Sequence, residues 1–391
     1  MKFLILLLCF LNLTYAYDES KQIHVIHPLQ DNQEATLLLA QMQKNIQTYL
    51  YETPLSSYEY FNKKSSHLGS QALITWIHGD LYLKDLAASP APSVRPTLNN
   101  MHNTHLGDYR YDIFTLLSDL LLKMQEDSDF SGSKETAILG SLVDGYFDKL
   151  SKQKLQCPSI DNALIGIKEN DLLSRYTEIS NKKRHFKITK PTIKRVPKNK
   201  IHALEKKMNT YFSKFNLLPV KDIVLNEYGN YLLLCEGKTT KQNDDIIFIL
   251  SASTLPVSYQ LNKKMKKSYQ FKSVIDKPDV ISSFNQTDFA GTISLNNQRL
   301  FVEKLNPSLK LQPLSEITRV YKEYAAALGF MLASYHANPQ LKSCNKFTKK
   351  VKNQVNPRRV KIELISMVYA YNETLEQKWE DFSDKKFISL K

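Results

Sequence analysis

The sequence predicts an α+β protein of two lobes, one mostly helical and a smaller one rich in β-strands. Apolar residues recur at helical spacing in long segments near both ends of the chain. Short apolar and β-branched runs separated by turn residues fill the middle. Helices, then strands, then helices again is the order expected when α and β parts segregate around separate cores.

Residues 1–16 read as a secretory signal. Lys2 gives a basic start, Phe3 to Leu13 an almost wholly apolar core, and Thr14-Tyr15-Ala16 small residues at positions −3 and −1 of a cleavage site. The alternative is an uncleaved anchor, but the run is shorter than the roughly 20 residues a membrane span takes. The expectation is export to the periplasm or beyond the cell, with a mature chain starting at Tyr17 and no transmembrane segment. Of the four cysteines, Cys9 lies in this signal. Cys157, Cys235 and Cys344 then permit one internal disulfide at most and leave an odd thiol.

Residues 17–180 form the predicted helical lobe. Leu37, Leu38, Leu39, Met42, Ile46 and Leu50 make one apolar face of a helix over Glu34–Tyr51. Gln71–Ile77, bounded by Gly69 and Gly79, reads as a buried strand. "AASPAPSVRP" is a loop by its prolines and serines. Tyr109–Met124 and Lys134–Lys154 are two apolar helices.

Residues 181–200 read as a basic connector, dense in Lys and Arg and without an acid. The chain as a whole carries a net charge of +14. The segment suits an acidic partner such as nucleic acid, lipopolysaccharide or anionic lipid. The plainer expectation is a solvated link between lobes, since charge alone is not recognition and no aromatic-rich nucleic-acid motif accompanies it.

Residues 201–312 form the predicted β-rich region. Ile201–Phe212 is a short helix, and "VKDIVLNEYGNYLLLCEG" gives two strands around Gly229-Asn230. "DDIIFILSAS" and Arg299–Leu305 add further strands. Residues 313–391 close the chain with helices over Leu314–His336 and Arg358–Phe382. The first has a small-residue side, Ala325, Ala326, Gly329 and Ala333, suited to close packing. His336 reads as a structural helix-end histidine, and Trp76 and Trp379 as packed residues.

The chemistry concentrates in "ITWIHGDLYLKDL", Ile74 to Leu86, where an apolar strand ends in His-Gly-Asp and a second carboxylate follows five residues on. In phosphoryl transfer an Asp orients or deprotonates the acceptor hydroxyl, oxygen ligands hold magnesium against the phosphates, and a strand Lys meets phosphate charge. Asp80 and Asp85 are the candidates for the first two roles.

At this point the chain resembles the domain of unknown function 2252 family, which has a kinase-like fold. "LNNMHNTHLGDYRYDIFTLLSDLL", Leu98 to Leu121, is similar to the family's Asn-Asp-Phe-Asp strand, Gly turn, aromatic stretch and helix-opening Asp, here Asp112. "YETPLSSYEYF", "DIVLNEYGNYLLLCEG" with "DDIIFILSAS", "YAAALGFMLASYHA" and "VYAYNETLEQKWEDF" resemble its other segments in the same order. The catalytic loop precedes the Lys strand, a permuted order shared with that family. The resemblance implies a two-lobed kinase-like fold, Mg/ATP as cofactor if active, and a phosphate loop at Gly229.

The departures collect where nucleotide would be held. Tyr82 replaces the family's His and Asp85 its Asn. Asn100 and His102 stand where two acids are expected, Asn62-Lys63 where the family has Arg-Gly, and Ser251 where the strand Lys should be. Loss of a transition-state cation of this kind typically costs several kcal/mol. Asp85, Asn100 and His102 remain the candidate metal ligands, though an imidazole suits zinc or copper better than magnesium. His78 and His105 join Asp80, Asp85 and His102 in one neighbourhood if the resemblance holds, against the plainer expectation of a packed His78. No Gly-x-Ser-x-Gly or His-Glu-x-x-His occurs. The expectation is an exported kinase-like pseudoenzyme acting as a binding or interaction protein. The alternative is an active ATP-dependent phosphotransferase or metal-dependent enzyme using Asp80 and Asp85.

Overall fold

The computed structural model describes residues 32–89, 95–126, 130, 132–151, 169–180, 183–189, 192–215, 219–237, 239, 244–252, 280, 289–296, 298–306, 318–338 and 340–384. The signal at 1–16, Cys157 and the expected start of a helix at Leu314 lie outside the described residues.

The first helical segment is two helices, α1 (Asn32–Lys44) and α2 (Ile46–Glu52), because Asn45 interrupts the run with an extended backbone and caps α2 by accepting the Thr48 N–H. Leu37 of the expected apolar face is exposed, while Leu38, Leu39, Met42 and Leu50 are buried. After α3 (Pro54–Ser65), the expected strand over Gln71–Ile77 forms only in its second half, β1 (Ile74–Ile77), with Gln71 and Ala72 exposed ahead of it. The Pro- and Ser-rich stretch that reads as a loop instead has strands at its flanks, β2 (Leu86–Ser89) and β3 (Arg95–Leu98), paired antiparallel. Then β4 (His105–Asp108) pairs antiparallel with β1, Thr75 opposite Gly107.

Asp108 caps α4 (Tyr109–Gln125) by accepting the Arg110 N–H. This helix is apolar nearly all round and is buried along its length, the centre of the helical core. It packs with α5 (Gly132–Ser151) and, from the end of the chain, α8 (Thr318–His336), α9 (Lys342–Gln354) and α10 (Pro357–Ser383).

Between these lie α6 (Glu169–Tyr176), β5 (Thr177–Ser180), β6 (Lys183–Phe186), β7 (Ile193–Arg195), α7 (Lys198–Phe212), β8 (Val220–Asn226), β9 (Tyr231–Cys235), β10 (Ile246–Ala252), β11 (Gly291–Leu295) and β12 (Gln298–Lys304). Six of the strands form one antiparallel sheet in the order β11-β12-β10-β9-β8-β7. Period-2 alternation divides its side chains between two cores. Leu233, Phe248, Leu250 and Val302 pack under Leu204, Met208 and Phe212 of α7, while Leu232, Leu234, Ile247 and Ile249 pack on the other face with Leu173 and Phe186. Cys235 and Cys344 are both buried free thiols.

In its described residues the basic segment lies largely at the surface and includes strand. Its middle is strand: β6 pairs with β5, and β7 is an edge of the main sheet. Arg195 pairs with Asp222 at 2.8 Å and Arg184 with the buried Asp245 at 3.5 Å. Lys187 donates to the Ser174 carbonyl at 2.6 Å. These cations are structural partners of the sheet. Among the described residues no helix is long and apolar enough to cross a membrane.

Candidate functional site

Strand β1 delivers His78-Gly79-Asp80 to the edge of the helical core. Gly79 turns the chain at φ 96, a conformation that side chains other than glycine rarely adopt. The buried Asp112 carboxylate fixes this turn by accepting the His78 N–H at 2.7 Å and the Gly79 N–H at 2.9 Å. His336 Nε2 approaches the same carboxylate at 3.1 Å, and its Nδ1 meets the Tyr146 hydroxyl at 2.8 Å. Burial alone would raise the Asp112 pKa. The hydrogen bond and charge of His336, with His78 and the Gly79 N–H, outweigh it and hold Asp112 below the ordinary carboxylate range.

Asp80 follows the turn. Its Oδ2 accepts from the Asn103 amide at 2.7 Å, while its Oδ1 is buried and has no partner. Burial, reinforced by the Asp85 charge, pushes Asp80 well above the usual carboxylate range, against the opposing pull of Lys84 and Asn103. Asp85 is buried and both its oxygens are engaged. Oδ2 accepts the Tyr82 N–H at 3.1 Å, and Oδ1 accepts the Asn100 amide. Asn100 sits in the left-handed region at φ 57, which asparagine tolerates better than most residues. Its amide nitrogen is the group turned toward Asp85.

A third carboxylate holds the loop from beneath. Asp119 on α4 accepts the Leu83 N–H at 2.7 Å and the Tyr51 hydroxyl at 3.0 Å, and burial pushes it up to about 7. Lys84, between Leu83 and Asp85, is half-buried. Its ammonium lies 4.4 Å from the centre of the Tyr51 ring and 3.7 Å from Glu52. Burial works against that charge, but Glu52 and its neighbours outweigh it and keep the Lys84 pKa above the ordinary lysine value.

The sheet closes the other side of a cleft of about 260 Å³. Ile249, Ser251 and Leu305 line it from the sheet, with Asn226, Tyr228 and Asn230 from the β8–β9 turn. Gly229 supplies the positive φ of that turn, 74°. The turn's backbone donors close on the turn itself. Asn226 Oδ1 accepts the N–H groups of Tyr228 at 3.0 Å and Asn230 at 2.9 Å, and the Asn226 carbonyl accepts the Gly229 N–H at 3.0 Å. Ser251 Oγ, at the position where the resemblance expects a lysine, is buried without a hydrogen-bond partner.

Asp80, Asp85, Asn100, His102 and Ser251 thus line one cleft, joined by His78. Two expected members stand apart from its lining. Gly229 shapes the turn but is not among the lining residues, and the buried His105 directs Nδ1 to the Asn103 carbonyl at 2.7 Å. Burial pushes His105 down to about 4, which keeps the ring neutral. Among the described residues no group of three or more His, Cys, Asp or Glu side chains is placed to hold a metal ion. The sequence reading missed Lys84, Glu52, Tyr51, Asn103 and Tyr228. Lys84 was visible inside the loop motif itself, but Glu52 and Tyr228 come from distant segments that only the fold brings to it. Against the models of protein families, the curated proteins and the solved structures, this chain finds no match.

Proposed function

We propose that the protein is a kinase-like scaffold, with the helical core and the sheet as its two lobes, that binds a ligand in the cleft between them and transfers no phosphate. The observation that carries this is the closed β8–β9 turn. Nucleotide phosphates are cradled by free backbone N–H groups, and here those of Tyr228, Gly229 and Asn230 are all bonded within the turn. Two further features support it. Each oxygen of Asp85 already accepts a hydrogen bond from the chain, which a magnesium ion bound there would have to share. Strand β10 brings a hydroxyl, Ser251, where phosphate charge would require a cation. The closed turn and the missing strand cation speak against a bound magnesium nucleotide. The apolar start of the chain favours export, where ATP is scarce.

Restoring the missing charges tests this reading. The triple variant Asn100→Asp, His102→Asp, Ser251→Lys should gain magnesium-dependent ATP binding that the parent lacks, seen as a rise in melting temperature with MgATP. If the folded triple variant ignores MgATP, the kinase-like placement of these three positions is wrong.

A further inference from the structure

The unmet hydrogen-bonding groups of the cleft identify the chemical class of its ligand. Asp80 Oδ1, Asn103 Oδ1, His78 Nδ1 and Ser251 Oγ are buried atoms without a partner, and all four residues line the cleft. His78 and Ser251 are only 1% and 2% exposed, so water does not readily replace a missing partner there. The bonds already made decide what each atom still wants. Asn103 donates its amide nitrogen to Asp80, which leaves its oxygen as an acceptor. His78 Nε2 bonds to the Asn99 carbonyl at 2.8 Å, and a carbonyl only accepts, so Nε2 carries the hydrogen and Nδ1 is the ring nitrogen left without a partner. Asp80 Oδ1 accepts in the ionised carboxylate, the form that a bound cation favours against burial and the Asp85 charge. Ser251 offers both roles. Asp80 Oδ1 and Asn103 Oδ1 are then two acceptors waiting for a donor.

Charge points the same way. Within a chain of net charge +14, three carboxylates among the described residues line the cleft, from Glu52, Asp80 and Asp85, beside the ammonium of Lys84. Lys84 also shows how an ammonium sits among these residues, over the Tyr51 ring and beside Glu52. An anionic ligand would meet repulsion, whereas a small cation rich in N–H groups would meet both the charge and the open acceptors. At about 260 Å³ the cleft falls just below the usual range for small-molecule pockets, about 300–1,000 Å³, which calls for a small ligand.

We infer that the cleft binds a small primary amine in its protonated form, with the ammonium N–H groups donated to Asp80 Oδ1 and Asn103 Oδ1 and a further donor or hydroxyl reaching Ser251. This deepens the proposed function and rests on its reading of the cleft as a binding site.

The test is the melting temperature of the folded full chain with millimolar ethanolamine or putrescine, beside tetramethylammonium and MgATP at matched ionic strength. Ethanolamine or putrescine should raise it by several degrees. Tetramethylammonium, which has the charge but no N–H, should not. Affinity for the active amine should fall about tenfold or more in Asp80→Asn, which keeps an acceptor but loses the charge that strengthens the bond. Ser251→Ala, which removes only an unpaired hydroxyl and should fold normally, should weaken ethanolamine more than ethylamine. No shift with either amine, an equal shift with tetramethylammonium, or a shift that survives Asp80→Asn would overturn the inference. A shift with MgATP alone would overturn the proposed function itself, so the two failures are distinct.

Discussion

With both carboxylate oxygens engaged and no exposure to solvent, Asp112 gathers the N–H groups of His78 and Gly79 and the ring of His336 into one buried cluster. It is the anchor that lets Gly79 hold its positive φ and so sets where Asp80 stands. Removing one member of such a cluster strands the others in a dry interior. Asp112→Ala should therefore cost about 3–5 kcal/mol in urea unfolding. A loss no larger than that of an ordinary surface change would mean that the loop is shaped by something else. Glu303 on β12 governs a different property. It is buried, its Oε2 accepts the Met101 N–H at 3.3 Å, and burial, with the Asp85 charge, pushes it up to about 8. A carboxyl raised in the folded state contributes stability that is present below its unfolded value of about 4.3 and is lost as pH rises through its folded value. The parent should therefore lose melting temperature between about pH 5 and pH 9. Glu303→Gln, which keeps the acceptor and cannot ionise, should flatten that slope. Parallel slopes for parent and variant would contradict the assignment.

Helices α5 and α8 pack closely, and the contact depends on glycine. A Cβ on Gly329 would lie 1.9 Å from the Leu142 carbonyl oxygen, and one on Gly145 would lie 2.1 Å from that of Ala326. Both obstacles are backbone, which cannot swing aside. Gly329→Ala should therefore destabilise by about 1–3 kcal/mol from overpacking, although alanine is the better helix former by about 1 kcal/mol. A gain in stability would show that the helices separate freely. The small side of α8 was legible because Ala325, Ala326, Gly329 and Ala333 recur at helical spacing. Helix α9 was not, because its buried residues, Cys344, Phe347 and Val351, are three among many lysines. Its stripe is real but thin. The β2–β3 pair was hidden by Pro96, which sits in strand opposite Ala88 where turn chemistry would be the usual reading.

At the scale of the whole molecule, the sequence reading found the cleft but not its balance of charge. Asp80, Asp85, Asn100, His102 and Ser251 line one space, and each was visible as a departure from or a match to a local pattern. What remained hidden was long-range. Tyr51 and Glu52 reach the site from α2, Asp119 from α4, and Tyr228 from the β8–β9 turn. No local spacing relates residues so far apart in sequence. The strand carries Ser251 where a lysine is expected, and Lys84 of the loop brings an ammonium to the cleft instead. That ammonium is held by Glu52 and the Tyr51 ring, and the turn that would have to cradle phosphate has closed on itself. Calorimetric titration of MgATP into the folded parent chain tests the central claim most directly. At millimolar nucleotide no heat of binding should appear, and Asp80→Ala should give the same flat trace. Saturable binding by the parent, abolished by Asp80→Ala, would show that the loop from His78 to Asp85 still holds nucleotide and would contradict the account.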